Sequence, residues 1–307
     1  MIAFARRAVA LCLTLPLAAC NENNIKSVRL DAIAVVYGDF DNMKDALTAL
    51  DIASTPYDGF IVQATYLPED ERLQRGYGGP RVEDLLTDTT GELELSTYNA
   101  VFVNSGTRGL GSVVYNNPLE QDDALLAAGT DLQDACDFAN GGGTLVLSDW
   151  AYDLIEYCWP DAIEFYGDDT AADAAQVGVA DGELLGDVTD ETLLADVGAL
   201  VTLNYNYSAW AVVESVGADT EVLMLGTAEY QPSAAELPVS IDNSPLLMRF
   251  PTGRSGQVLY STFALSVQTP GLTSAILLVG VDGLFIGAGS ESATGTDTTV
   301  TGTTGGA

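Results

Sequence analysis

Short apolar runs alternate along this chain with glycine- and aspartate-bearing turns and with stretches of helical spacing. Residues 29–37 (RLDAIAVVY) predict a first strand, and 43–50 a helix with Ala46, Leu47 and Leu50 on its apolar side. A second strand is expected over 57–66, followed by a polar, glycine-rich excursion over 67–90 that carries Arg72, Arg75 and Arg81. Residues 98–103 predict a third strand, and 120–139 a helix with Leu125, Leu126, Leu132 and Phe138 on one side. The most telling stretch is 141–159, GGGTLVLSDWAYDLIEYCW: a glycine turn, a buried strand at 144–147, a sharp turn at Ser148-Asp149-Trp150 and a helix closed by Pro160. Strands alternating with helices and ending in such turns argue for an α/β fold of flavodoxin-like, three-layer type. Its sheet is mostly parallel and has helices on both faces.

Beyond residue 166 the pattern weakens. Residues 167–199 are acidic and rich in alanine and glycine, without a clear period. Strands are expected at 201–216 and 221–225, a loop at 232–243, and a late hairpin from 246–250 and 257–263 around Pro251-Thr252-Gly253-Arg254-Ser255-Gly256. A last apolar segment, 274–286, predicts a helix packed on the sheet, too short to cross a bilayer. The organisation that follows is a leader at 1–19, a tether at 20–28, an α/β domain over 29–287 and a disordered tail of small residues at 288–307.

The leader changes the picture of where the protein works. Arg6 and Arg7 precede a short apolar core at 8–15, which ends in Leu17-Ala18-Ala19-Cys20. That ending resembles the lipobox of bacterial lipoproteins, which implies lipidation of Cys20 and a membrane anchor. The other reading is an ordinary signal peptide with an incidental cysteine. Asn21 after Cys20 implies, by the same resemblance, an outer-membrane rather than an inner-membrane address in the bacterial envelope.

Charge narrows the partners. With 44 Asp+Glu against 11 Lys+Arg the formal net charge is -33, so a nucleic-acid backbone or an anionic headgroup is repelled. A protein or a glycan remains as ligand, and the acidity also suits simple solubility. Cys136 and Cys158 flank the central strand in the exported domain. They form either a disulfide between consecutive helices or two small buried apolar residues.

Three stretches carry a family likeness: VFVNSGTRG at 101–109, TLVLSDWAYDL at 144–154 and GRSGQVLYSTFALSVQ at 253–268. In this order they resemble the oxyanion loop, nucleophile elbow and late hairpin of the class I glutamine amidotransferase-like superfamily, including its ThuA-like relatives. The resemblance places Asp149 where the family has its catalytic cysteine, Ala264 where it has histidine and Ser266 where it has glutamate. The chain contains no histidine, so no Cys–His or Ser–His nucleophile can be assembled. The resemblance therefore implies a scaffold with an emptied catalytic site, no catalytic residue, and binding or scaffolding as its work.

Candidate ligand residues fall on the turns at the carboxyl ends of the strands, where open α/β sheets bind: Asp39, Asp41, Asn104, Ser105, Asp149 and Trp150. If the first and central strands are neighbours, Asp39, Asp41 and Asp149 form a carboxylate cluster suited to calcium or magnesium, and a metal-assisted hydrolase becomes the alternative. The plainer account is that the two helices are simply capped at their N-termini, the 43–50 helix by Asp39, Asp41 or Asn42 and the elbow helix by Asp149, with no cofactor. A third reading is a structural envelope protein without a small ligand. Asp39-x-Asp41 also resembles the haloacid dehalogenase-like phosphatases, although Met43 stands where they carry Thr or Val. Trp150, Tyr152, Tyr157 and Trp159 give the elbow helix an aromatic character suited to a sugar or peptide if exposed. Tyr152 and Trp159 fall on one face and are expected in the core.

Overall fold

The computed structural model describes residues 32–38, 40–59, 80–86, 94–107, 129–167, 175, 178–179, 182–206, 210–230, 232 and 236–281. The leader, Cys20, the tether, Asp39, the tail and most of the 67–90 excursion lie outside them. In chain order the strands are β1 (Ile33–Val36), β2 (Thr55–Tyr57), β3 (Ala100–Val103), β4 (Thr144–Ser148), β5 (Ile163–Phe165) and β6 (Gly182–Val188). They continue with β7 (Leu200–Tyr205), β8 (Val213–Val216), β9 (Glu221–Tyr230), β10 (Val239–Thr252) and β11 (Gly256–Ser261). The described α-helices are α1 (Met43–Ala49), α2 (Val82–Leu86), α3 (Gly129–Asn140), α4 (Asp153–Cys158), α5 (Glu191–Val197) and α6 (Pro270–Gly280).

Among the described residues nine strands form one sheet in the order β2-β1-β3-β4-β11-β10-β9-β6-β7, while β5 and β8 pair separately. From β2 to β11 every pairing is parallel. Past β11 the pairings are antiparallel, so the antiparallel wing is wider than one late hairpin. The inner parallel strands β1, β3 and β4 are buried on both faces, which is why they read as continuous apolar runs rather than alternating ones. Successive side chains point to opposite sides. Ala34, Val36, Val101, Val103, Leu145 and Leu147 join one core with α2, α3 and α4. Ile33, Val35, Phe102, Val146 and Leu259 join the other with α1, α5 and α6. The α/β class and the three layers are thus those the sequence predicts.

Several boundaries differ, each for a physical reason. A second strand is described at Thr55–Tyr57, where Tyr57 pairs with Val36 at the end of β1, so it begins before residue 57; residues 60–66 of the strand expected over 57–66 lie outside the described residues. The expected strand at 201–216 is two, β7 and β8, in different sheets. The 232–243 loop gives way to β10 from Val239, which pairs with β9 through register shifts between Ile241 and Ser244. Those irregularities hide the strand's period of two. The patternless 167–199 region holds β6 and α5, whose solvent-facing residues blur any period. The last helix begins at Pro270 rather than 274, because the Thr269 side chain accepts the Leu272 N–H and Pro270 suits the first helical position.

Candidate functional site

The carboxyl end of β4 is where the sequence places its elbow. Ser148 ends the strand in extended conformation, and Asp149–Ala151 form one tight 3-10 turn before α4 begins at Asp153. Asp149 has φ of 47°, the left-handed region that side-chain-bearing residues avoid and that Asp tolerates better than most. A strained residue at a strand-to-helix turn is the conformation a nucleophile elbow requires. The side chain it presents is nevertheless withdrawn, with Asp149 only 6% exposed.

Each oxygen of that carboxyl is engaged. Oδ1 accepts the Ala211 backbone N–H at 2.9 Å, and Oδ2 accepts the Ser105 hydroxyl at 3.3 Å. Ser105 Oγ in turn accepts the Trp150 N–H, and the Ser105 N–H is donated to Ser148 Oγ at 3.0 Å. The Tyr260 hydroxyl donates to the Asp149 carbonyl at 2.9 Å. Burial pushes the Asp149 carboxyl well above the ordinary carboxylate value, against the lowering effect of the Ala211 and Ser105 hydrogen bonds; the Asp41 charge pushes it up further. The proton-holding form is the one this setting favours.

Asp41 arrives from the turn between β1 and α1. It is buried, and its Oδ1 accepts the N–H groups of Asn42 at 2.7 Å and Ser266 at 3.3 Å. Burial raises its carboxyl too, offset in part by the Ser266 and Ser148 hydroxyls and by those backbone donors. Ser266 thus meets the turn after β1, through its backbone N–H on Asp41 and the Asn42 N–H that its hydroxyl accepts at 3.1 Å. Ala264 is a buried apolar residue. Of the three residues expected to cap α1, Asn42 does so, its side chain accepting the Asp45 N–H; α4 has no side-chain cap, so the cap expected of Asp149 is not made.

The first and central strands are not neighbours: β3 lies between them. The turn after β1 still reaches past the end of β3, since the Phe40 N–H donates to the Ser105 carbonyl at 3.0 Å and the Asp41 carboxyl meets the Ser148 hydroxyl at the end of β4. Asp41 and Asp149 therefore come within electrostatic reach, while Asp39 lies outside the described residues. Among the described residues no group of three acidic, cysteine or histidine side chains could hold a metal ion. Asn104 is 1% exposed, and neither its amide nitrogen nor its oxygen finds a partner among the described residues. Trp150 is 3% exposed and packs edge-on to Tyr152 at 6.0 Å, so the ring expected to meet a ligand belongs to the core. Of the two rings expected in the core, Tyr152 is fully buried and Trp159 only partly, set edge-on to Phe250 at 5.7 Å.

Cys136 on α3 and Cys158 at the end of α4 are joined as a disulfide, with Cα atoms 5.5 Å apart. The bridge ties the elbow helix to the helix that precedes β4. What sequence reasoning missed is Ala211, in the segment between β7 and β8, whose N–H anchors Asp149. No pattern within the sequence signals a backbone donor of this kind.

No protein-family model matches the chain, and no curated protein does. Solved structures similar in chain path include a GMP synthase component from Thermoplasma acidophilum, at 9% identity and TM-score 0.44, covering 80% of this chain and 92% of that one. A ThuA-like protein from Bacteroides uniformis is similar at 12% identity and TM-score 0.41, covering 81% of this chain and 88% of that one. A beta-galactosidase from Bacillus circulans is similar at 14% identity and TM-score 0.36; the match covers 81% of this chain but 31% of that one. At these identities and TM-scores the likeness is one of chain path and extends to no residue's role.

Proposed function

We propose that this chain is a lipid-anchored module of the bacterial envelope, too firmly tied at its elbow to act as a nucleophilic enzyme, and that it works by binding a protein or a glycan. The observation that carries this reading is the state of Asp149: it occupies the strained elbow position, yet both its oxygens are hydrogen-bonded and its side chain is buried. A group held this way locks the turn instead of attacking a substrate, and the chain has no histidine to activate the neighbouring Ser105. The lipobox-like Leu17-Ala18-Ala19-Cys20 supports the anchor, and the net charge of -33 supports a ligand that is neither nucleic acid nor an anionic surface.

The anchor is tested by metabolic labelling of the expressing bacterium with a palmitate analogue. The wild-type chain is expected to carry the label and partition with the envelope, and Cys20→Ser to lose the label; an unlabelled wild type removes the anchor from the proposal. The binding role is tested by screening the purified chain for hydrolysis of ester, amide and glycoside substrates, with and without calcium or magnesium. No turnover is expected. Turnover that disappears in Asp149→Asn would replace the binding role with an enzymatic one.

A further inference from the structure

The aromatic residues around the elbow helix separate in the fold. Trp150 and Tyr152 enter the core, whereas Trp159 is only partly buried and lines a cleft of about 500 Å³. This cleft opens at the end of the sheet opposite Asp149. Pro251, on its rim, pairs with Gln257, and Gln257 pairs with Thr144 at the start of β4, whereas Asp149 follows the end of that strand. We propose that the cleft between Trp159 and the turn at 217–220 binds a neutral carbohydrate.

Its walls have the two chemistries a sugar ring needs. Trp159 is set edge-on to the buried Phe250, and its indole N–H is donated to Asn140 Oδ1 at 3.2 Å. With that polar atom occupied, the indole brings carbon surface to the cleft, the partner a pyranose ring takes for its C–H face. Asp161 and Asp219 bring exposed carboxylates, acceptors for sugar hydroxyls. Among the described residues no lysine or arginine lines the cleft, so these walls offer no cation to a sulfate or a sugar acid. The volume lies within the range of about 300–1,000 Å³ usual for small-molecule sites.

The cleft is also held in shape. Gly217 packs so closely that a Cβ there would stand 2.2 Å from the Asp161 carbonyl oxygen, and its N–H donates to the Ala162 carbonyl at 2.9 Å. The Thr220 hydroxyl donates to the same carbonyl at 2.8 Å. On the other side the Cys136–Cys158 disulfide fixes the end of α4 just before Trp159. A preformed wall lowers the ordering cost of binding. The inference goes beyond the proposed binding role, because it holds whether or not the elbow turns over a substrate.

The test is an array of neutral, sulfated and sialylated glycans probed with the purified full chain, followed by calorimetric titration of wild type and variants with the best neutral glycan, and by tryptophan fluorescence of the wild type as a second readout. Trp150 and Trp210 are buried, so Trp159 is the indole placed to report. Retention of neutral glycans over acidic ones is expected, with at least tenfold weaker binding by Trp159→Ala. Because Trp159 also packs on Phe250, the exposed Asp219→Asn provides the second variant: binding is expected to fall severalfold at unchanged thermal stability. Binding by Asp149→Asn is expected to match wild type, which separates this site from the elbow. Retention of no neutral glycan, preference for acidic ones, or binding unaffected by both cleft variants would overturn the proposal.

Discussion

The backbone N–H of Ala211 donates to Asp149 Oδ1 at 2.9 Å, joining the turn after β4 to the segment between β7 and β8 across 62 residues of sequence. The bond is buried, and it fixes a side chain whose own backbone sits at φ of 47°. Strain at one turn is therefore held by a donor from a distant part of the fold, consistent with a locking role for the carboxyl.

Replacing that carboxyl separates its hydrogen bonds from its charge. Asp149→Ala leaves the Ala211 N–H buried without an acceptor and puts alanine in the left-handed region. The expected loss is about 2–4 kcal/mol of unfolding free energy. Asp149→Asn keeps an acceptor for Ala211 and tolerates the same φ, so at pH 5 it is expected within about 1 kcal/mol of wild type. Urea unfolding of the two variants at that pH checks both values.

Stability should also fall as pH rises, through the buried carboxyls. Asp149 and Asp41 both have folded-state values raised above the ordinary 3.8, so the folded chain holds these protons longer than the unfolded one. Their contribution is fully present below pH 3.8 and is lost as pH rises through the raised values. Each such group contributes a slope of at most about 1.4 kcal/mol per pH unit. Surface repulsion in a chain of net charge -33 acts in the same direction, but salt screens it while leaving a buried group largely unscreened. Unfolding measured from pH 4 upward in 1 M salt is expected to show a shallower decline for Asp149→Asn than for wild type, and equal slopes would contradict the raised value.

The disulfide gives a third outcome. Cys136 and Cys158 are separated by 22 residues, and a loop of that length predicts about 3 kcal/mol of stabilisation through the unfolded state. Cys136→Ala with Cys158→Ala should lower the melting temperature, and added reductant should lower that of wild type but not of the double variant. Calorimetry with and without reductant distinguishes these cases.

A fourth prediction concerns Gly38, at the end of β1. A Cβ there would lie 2.1 Å from the Ser105 carbonyl oxygen and 2.7 Å from that of Asn104, both backbone atoms that cannot swing away. Gly38→Ala is expected to cost at least about 2 kcal/mol and to disturb the Phe40 to Ser105 hydrogen bond. A shift of the urea midpoint to lower concentration, with loss of amide protection at Phe40 in hydrogen exchange, is the expected result.

The inner parallel strands were legible because β1, β3 and β4 are buried on both faces, unlike the edge strand β2. Continuous runs such as IAVV at Ile33–Val36 and AVFV at Ala100–Val103 leave little alternative to an interior strand. The antiparallel wing was harder to read. β6 carries exposed and half-buried residues along most of its length, and β10 slips register against β9, so neither keeps a clean alternation. The elbow turn was visible in Ser148-Asp149-Trp150, but the burial of Trp150 was not, because an aromatic residue at a turn suits a core and a ligand face equally well.

By itself the amino-acid sequence determined the alternation of strands and helices, the strong negative charge, and the want of any histidine to serve a nucleophile. Those properties are local or additive, and each can be read without knowing which residues meet. Tertiary structure decided what Asp149 does, since its partners Ser105 and Ala211 lie 44 and 62 residues away and one of them is a backbone amide. It also decided that Trp150 is enclosed while Trp159 borders a cleft, because burial depends on how the layers close over a turn.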